Sequence, residues 1–309
     1  FSSNSGLNWT VTYTSGNILF HSSTILDVNS AIVSGMGGSL IKSTNKGVNW
    51  TSNTLGNQYS INSINFYNEL IGAASTSNGS LLLTTNAGLN WVERSVDAST
   101  VLEDVFLKNE NEIFTIGQNS KIYKSTNFGL NWTSLYFALR NLYKISFLNY
   151  NTGFVSGSNG TILKTIDGGI SWVPQTTPVA NTLNAVSFAN AMTGNAVGYS
   201  SVILRTTNGG DLWYQQQSPV SNTTWFGVEL TSALNGVIVG GAGKILYTTT
   251  GGDPIGIEPI SSEVPERFSL SQNYPNPFNP TTNFEFSIPE FGFVNLTIYD
   301  AMGRVVETL

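Results

Sequence analysis

The chain of 309 residues contains no cysteine, one histidine (His21) and only 10% charged residues. Without cysteine there is no disulfide framework, no thiolate metal site and no cysteine nucleophile. One histidine excludes a histidine-based metal cluster and leaves a Ser-His-Asp arrangement a single possible base. No Gly-x-Ser-x-Gly elbow accompanies it. The 13 basic residues are scattered and outnumbered by 19 acidic ones, for a net charge of −6, so nucleic acid is not an expected partner. No apolar run approaches the roughly 18 residues of a membrane-spanning helix, and no membrane span is expected. A sustained 3.6-residue apolar period is missing too, which leaves almost no room for helix. A chain of this length can bury a large core without covalent staples and has room for two domains.

What the chain does have is a period. Trp9, Trp50, Trp91, Trp132, Trp172 and Trp213 lie 41, 41, 41, 40 and 41 residues apart. Each closes a phrase of the form Ser/Thr-x-Asn/Asp-x-Gly-x-x-Trp. The five full copies carry Asn45, Gly47 and Trp50; Asn86, Gly88 and Trp91; Asn127, Gly129 and Trp132; Asp167, Gly169 and Trp172; and Asn208, Gly210 and Trp213. Degenerate copies flank them at Ser2 to Trp9 and at Thr248 to Ile255, the last without its Trp. Asn or Asp can hydrogen-bond the backbone just ahead of it, and Gly supplies a positive φ, so the phrase reads as a hairpin turn. The Trp ring then packs against a neighbouring unit while its N–H finds a local partner.

Three short β-rich runs precede each turn. The innermost, strand a, reads as Ile61 to Phe66, Leu102 to Leu107, Leu142 to Phe147, Leu183 to Phe188 and Trp225 to Leu230. Strands b and c follow it in every unit. Four short strands repeated at this spacing describe a propeller blade. Six a-b-c sets predict an all-β, six-bladed propeller of four-stranded blades over residues 1–253, with an N-terminal strand, Gly6 to Thr14, closing the last blade.

The phrase resembles the Asp-box, or BNR repeat, of sialidases, sortilin-type propellers, xyloglucan-cleaving glycosidases and the photosystem II assembly factor propeller. The resemblance implies that the Asn, Asp, Gly and Trp positions above are structural turn residues on the outer side of the blade. It implies no cofactor, and no metal site is expected.

Each candidate for catalysis competes with a plainer reading. A sialidase needs an arginine triad, and the propeller has only Arg94, Arg140 and Arg205. Arg205 stands in strand c where other blades carry Lys42, Lys124 and Lys164, and reads as a solvated strand residue. A glycosidase needs two carboxylates across a cleft; Glu103, Asp104 and Glu229 are the candidates. Adjacent strand residues point to opposite faces, so Glu103 and Asp104 are not expected to pair with each other. The glycine-rich run Val239 to Lys244 fails the phosphate-loop template and reads as a b–c turn. The second residue of strand a varies among the blades, with five residue types at six positions: His21, Asn62, Glu103, Tyr143, Asn184 and Phe226. Structural positions converge across repeats, and these do not, so they form the expected binding ring at the channel mouth.

From residue 254 to 266 the composition shifts to Pro, Gly, Ser and Glu, marking a linker. Residues 267–309 carry Tyr274, Pro275, Asn276, Pro277, Phe278, Asn279 and Pro280, followed by Tyr299-Asp-Ala-Met-Gly-Arg304. These phrases resemble the type A C-terminal sorting domain of type IX secretion substrates in Bacteroidetes-like bacteria, a partial β-sandwich-like unit here. The resemblance implies the type IX machinery as a partner and an extracellular or outer cell-surface location. The expected function is a non-catalytic propeller that binds or scaffolds through a glycan or protein ligand. The alternatives are a polysaccharide-acting glycoside hydrolase and a structural subunit of an extracellular assembly.

Overall fold

The structure is a computed structural model, and it describes residues 10–14, 16, 18–52, 55, 59–137, 140–252, 269–270, 286–287, 297–299 and 304–308. The chain divides into two compact units, Phe1–Asp253 and Pro254–Leu309. The first is an all-β propeller of six antiparallel blades. Blade 1 is β1 (Phe20–Ile25), β2 (Ala31–Gly35), β3 (Ser39–Ser43) and β4 (Thr51–Ser52); blade 2 is β5 (Ile61–Phe66), β6 (Gly72–Thr76), β7 (Ser80–Thr84) and β8 (Val92–Ser95). Blade 3 is β9 (Leu102–Leu107), β10 (Ile113–Gly117), β11 (Lys121–Ser125) and β12 (Thr133–Tyr136); blade 4 is β13 (Leu142–Phe147), β14 (Gly153–Gly157), β15 (Ile162–Thr165) and β16 (Val173–Gln175). Blade 5 is β17 (Leu183–Phe188), β18 (Gly194–Gly198), β19 (Ile203–Thr206) and β20 (Tyr214–Gln216); blade 6 is β21 (Trp225–Leu230), β22 (Gly236–Gly240) and β23 (Ile245–Thr248). Among the described residues the only helical turns are the 3-10 turns Met36–Gly38 and Gly241–Gly243, each joining the second and third strands of its blade.

The strand-a ranges expected for blades 2 to 6 are those observed. The proposed closing strand is described only from Thr10 to Thr14, which carries no strand pairing; the rest of it lies outside the described residues, and the sixth sheet has three strands among those described.

The turn phrase is a self-contained hydrogen-bonded unit. Ser43 Oγ accepts from Gly47 N at 2.8 Å and donates to Asn45 Oδ1 at 3.1 Å, while Asn45 Oδ1 accepts from Asn49 N at 2.8 Å. Thr84 with Asn86, Ser125 with Asn127, Thr165 with Asp167 and Thr206 with Asn208 repeat this pattern. The residue before the glycine and the glycine itself both take positive φ, 59° at Lys46 and 77° at Gly47. Two left-handed residues in succession reverse the chain, and only the second is always Gly.

Tryptophan then enters the interface with the preceding blade. Trp213 stands edge-on to Phe188 at 5.8 Å, and Phe188 stacks on Phe154 of blade 4 at 3.8 Å. Trp91 meets Phe66, and Trp172 meets Phe147, in the same edge-on way. The expected local partner for the indole N–H is found for Trp50 and Trp91, which donate to Gly47 O at 3.0 Å and Gly88 O at 3.1 Å. For Trp132, Trp172 and Trp213 that expectation fails: their Nε1 atoms are buried with no acceptor among the described residues. Ring packing therefore sets the indole position where the two demands conflict.

In the second unit the described strands are β24 (Ser269–Leu270), paired antiparallel with β25 (Phe286–Ser287), and β26 (Thr297–Tyr299), paired antiparallel with β27 (Val305–Thr308). The motif Tyr274 to Pro280 and the linker 254–266 lie outside the described residues.

Candidate binding site at the channel mouth

The pairing of strand a with strand b slips at one place in all six blades. The register skips His21, Asn62, Glu103, Tyr143, Asn184 and Phe226, each of which is the second residue of its strand. A β-bulge leaves one residue unpaired and re-aims its side chain. All six side chains line a single cavity of about 610 Å3, to which every inner strand contributes, so it lies on the ring axis at the channel mouth.

The bulge also corrects the expectation that neighbouring residues on strand a face opposite ways. Glu103 and Asp104 both line the cavity, as do Asn62 with Ser63 and Tyr143 with Lys144. Strict alternation holds only while the ladder is continuous. The third residues are a set that sequence reasoning missed. Asp104 is buried and accepts from Ser63 Oγ of blade 2 at 2.5 Å, from Ile145 N of blade 4 at 2.8 Å and from Lys144 Nζ at 3.1 Å. Its oxygens are committed to holding three blades together. Aligning the repeats would have put Asp104 and Lys144 at one position in consecutive blades, an opposite-charge signal readable from sequence.

Two ring members have structural work. Asn62 Nδ2 donates to Leu102 O at 2.9 Å, and Asn184 Nδ2 donates to Trp225 O at 2.8 Å. Each ties its bulge to the next blade. Glu103 receives Gln118 Nε2 at 2.6 Å. Burial pushes the Glu103 carboxyl above the usual range and the neighbouring Asp104 adds to this, while Gln118 and His21 oppose it. The Glu229 carboxyl is also raised, chiefly by loss of hydration, with Lys144 and the Ser187 hydroxyl opposing. His21 and Phe226 are exposed, and with Phe20 and Tyr143 they give the mouth an aromatic rim.

Arg205 is not a solvated strand residue. It is 3% exposed and donates to Gly251 O at 2.7 Å and Ala233 O at 3.0 Å, both in blade 6. Lys42 and Lys108 act similarly, reaching Ala87 O and Gly168 O in the turn of the following blade. These cations are clasps between blades. Asp167, in the fourth turn, is held well below the usual carboxylate range by the Ser171 hydroxyl and backbone N–H, a turn effect. No group of three or more candidate metal ligands occurs among the described residues.

Residues 134–217 match the family profile described as Photosynthesis system II assembly factor YCF48. The repeat is of the BNR type. No curated protein matches the sequence. Among solved structures, YCF48 from Cyanidioschyzon merolae is similar with a TM-score of 0.64 and 14% identity, over 78% of this chain and 85% of that one. The GH74 enzyme of Niastella koreensis gives a TM-score of 0.64 and 14% identity over 75% of this chain and 45% of its own. An ancestral GH74 enzyme gives 0.63 and 18% identity, over 72% of this chain and 35% of its own. The likeness to this BNR-type group is one of fold, shared by proteins named as an assembly factor and as GH74 enzymes.

Proposed function

We propose that the chain is a secreted or cell-surface binding propeller, non-catalytic, that takes a glycan or protein ligand at the channel mouth and is exported by the type IX machinery through its C-terminal unit. One observation carries the binding assignment: side chains of five different types occupy the one bulged position of the six blades and meet in a single cavity. Repeats that must only close a ring have no use for such variety, and an aromatic rim with hydrogen-bonding groups suits a polar ligand. Commitment of both Asp104 oxygens to Ser63, Lys144 and Ile145 favours binding over hydrolysis, because it leaves Glu103 without a free partner carboxylate on its own strand.

Glu103 and Glu229, both raised, favour one second reading, a polysaccharide hydrolase with Glu103 as the acid. A glycan and peptide array combined with a reducing-sugar assay separates the two. Loss of binding without any turnover, on Tyr143→Ala and Glu103→Gln, supports the binding role. Turnover abolished by Glu103→Gln or Glu229→Gln would overturn it. Export is tested by fusing residues 254–309 to a reporter in a type IX-competent host, where retention of the reporter inside the cell would sink the sorting assignment.

A further inference from the structure

The side chains around the channel mouth differ in what they leave free to bond. Asn62 and Asn184 each commit the amide nitrogen to a backbone carbonyl of the next blade, Leu102 O and Trp225 O. A carbonyl only accepts, so the nitrogen is fixed there and Oδ1 is the atom left to face a ligand. Lys144 Nζ and the Ser63 hydroxyl both donate to Asp104. Glu103 Oε1 accepts from Gln118 Nε2, and Oε2 receives no donor among the described residues. His21, Ser22 and Tyr143 can each act either way. The ammonium and amide donors of the wall are thus engaged, and acceptors remain.

Charge runs in the same direction. Asp104 and Lys144 neutralise each other at 3.1 Å, which leaves Glu103 as the carboxylate of the cavity wall with no cation bonded to it among the described residues. Burial has removed water from that carboxyl, so a cation beside it supplies the counter-charge that water no longer does. Three rings border the same cavity: Phe226, 59% exposed, Phe20 and Tyr143. Ring faces attract cations. The net charge of −6 draws cations toward the chain from a distance as well.

We propose that the channel mouth receives a basic side chain, arginine or lysine, of a partner polypeptide, its apolar stem against the aromatic rim and its cationic head on Glu103 and Asn62 Oδ1. The inference rests on the reading of the mouth as a binding site and names its ligand. Guanidinium and ammonium groups carry donors only, which suits a wall of acceptors, whereas every sugar hydroxyl must accept as well as donate. A basic side chain also meets rim and floor in turn, because a stem of three or four methylenes carries its charge at the tip.

Titration calorimetry on the full chain tests this with blocked glycine-serine peptides that hold a single central arginine, lysine or citrulline. Citrulline keeps the shape of arginine and loses its charge. The arginine and lysine peptides should bind about tenfold more tightly than the citrulline peptide, and Glu103→Gln should bring them down to its level. Phe226→Ala, a truncation at an exposed ring, should weaken both by about threefold, and melting curves establish that each variant is folded. Equal affinity for the arginine and citrulline peptides overturns the inference, as does peptide binding indifferent to both substitutions or no peptide binding at all. Tighter binding of spermidine than of either basic peptide also overturns it, assigning the mouth to a free polyamine. A neutral oligosaccharide that binds alone, and is lost in Tyr143→Ala, refutes the basic side chain while the mouth stands as a binding site. Probes that bind unaffected by any ring substitution remove both readings.

Discussion

Replacing the interblade tryptophans one at a time separates ring packing from indole hydrogen bonding. Trp213 is 2% exposed, edge-on to Phe188, and its Nε1 has no acceptor among the described residues. Trp213→Ala removes about 140 Å3 of ring, which at about 24 cal/mol per Å3 of residual cavity gives about 3 kcal/mol, within the 3–5 kcal/mol usual for such truncations. Trp213→Phe loses about 1 kcal/mol of apolar burial but also removes a buried unpaired donor that costs the native state about 1–3 kcal/mol. The two nearly cancel. Trp91→Phe, at a partly buried position, loses somewhat less apolar area but also the bond to Gly88 O, and should cost about 2 kcal/mol. Urea unfolding followed by circular dichroism gives all three values. If Trp213→Phe proved more destabilising than Trp91→Phe, the claim that packing alone holds the buried indoles would be wrong.

Arg205→Met should cost about 2–4 kcal/mol, because the Gly251 and Ala233 carbonyls lose a charged donor in a buried interface, and a melting curve within error of the parent would refute the clasp. Lys46→Gly should stabilise by about 0.5–1 kcal/mol, since Lys46 is an exposed non-glycine residue at φ 59°; a lowered Tm would contradict this. Because the Glu103 carboxyl is raised by burial, the native state holds its proton more tightly than the unfolded chain, and stability contributed on the acid side is lost as pH rises through the ordinary Glu range to the raised value. Glu103→Gln should therefore gain stability over the parent as pH rises above the ordinary Glu range of about 4.3, and equal pH profiles for the two would count against a desolvated carboxyl.

The repeat was readable because turn chemistry is local: Asn45, Gly47 and their copies act on residues at most four positions away. The boundaries of strand a were equally plain, since turn residues flank it on both sides. The bulge was not, because no residue type marks it; it follows from how strand a must bend against strand b near the axis, and so the shared orientation of Glu103 and Asp104 was misread. Arg205 was misread for a related reason. Its burial depends on Asn195, which stands where other blades carry aromatic or aliphatic groups, on Gln216 bonded to that Asn195, and on carbonyls of blade 6 more than twenty residues away. That the six bulged positions share one cavity was legible from variety among repeats, a signal that needs no knowledge of contacts.

Apolar clusters fill five of the six junctions between blades, and among the described residues none joins blade 6 to blade 1, which changes how the molecule should come apart. A ring sealed on itself has no first or last member, and loosening any one blade requires breaking two interfaces at once. A ring with one weaker junction behaves as a linear array bent into a circle, in which the two end members are each held chiefly from one side. Local opening should then begin at blades 1 and 6 and run inward toward blades 3 and 4, where Lys108, Lys124 and Glu112 join the strands around Phe114 and Phe147.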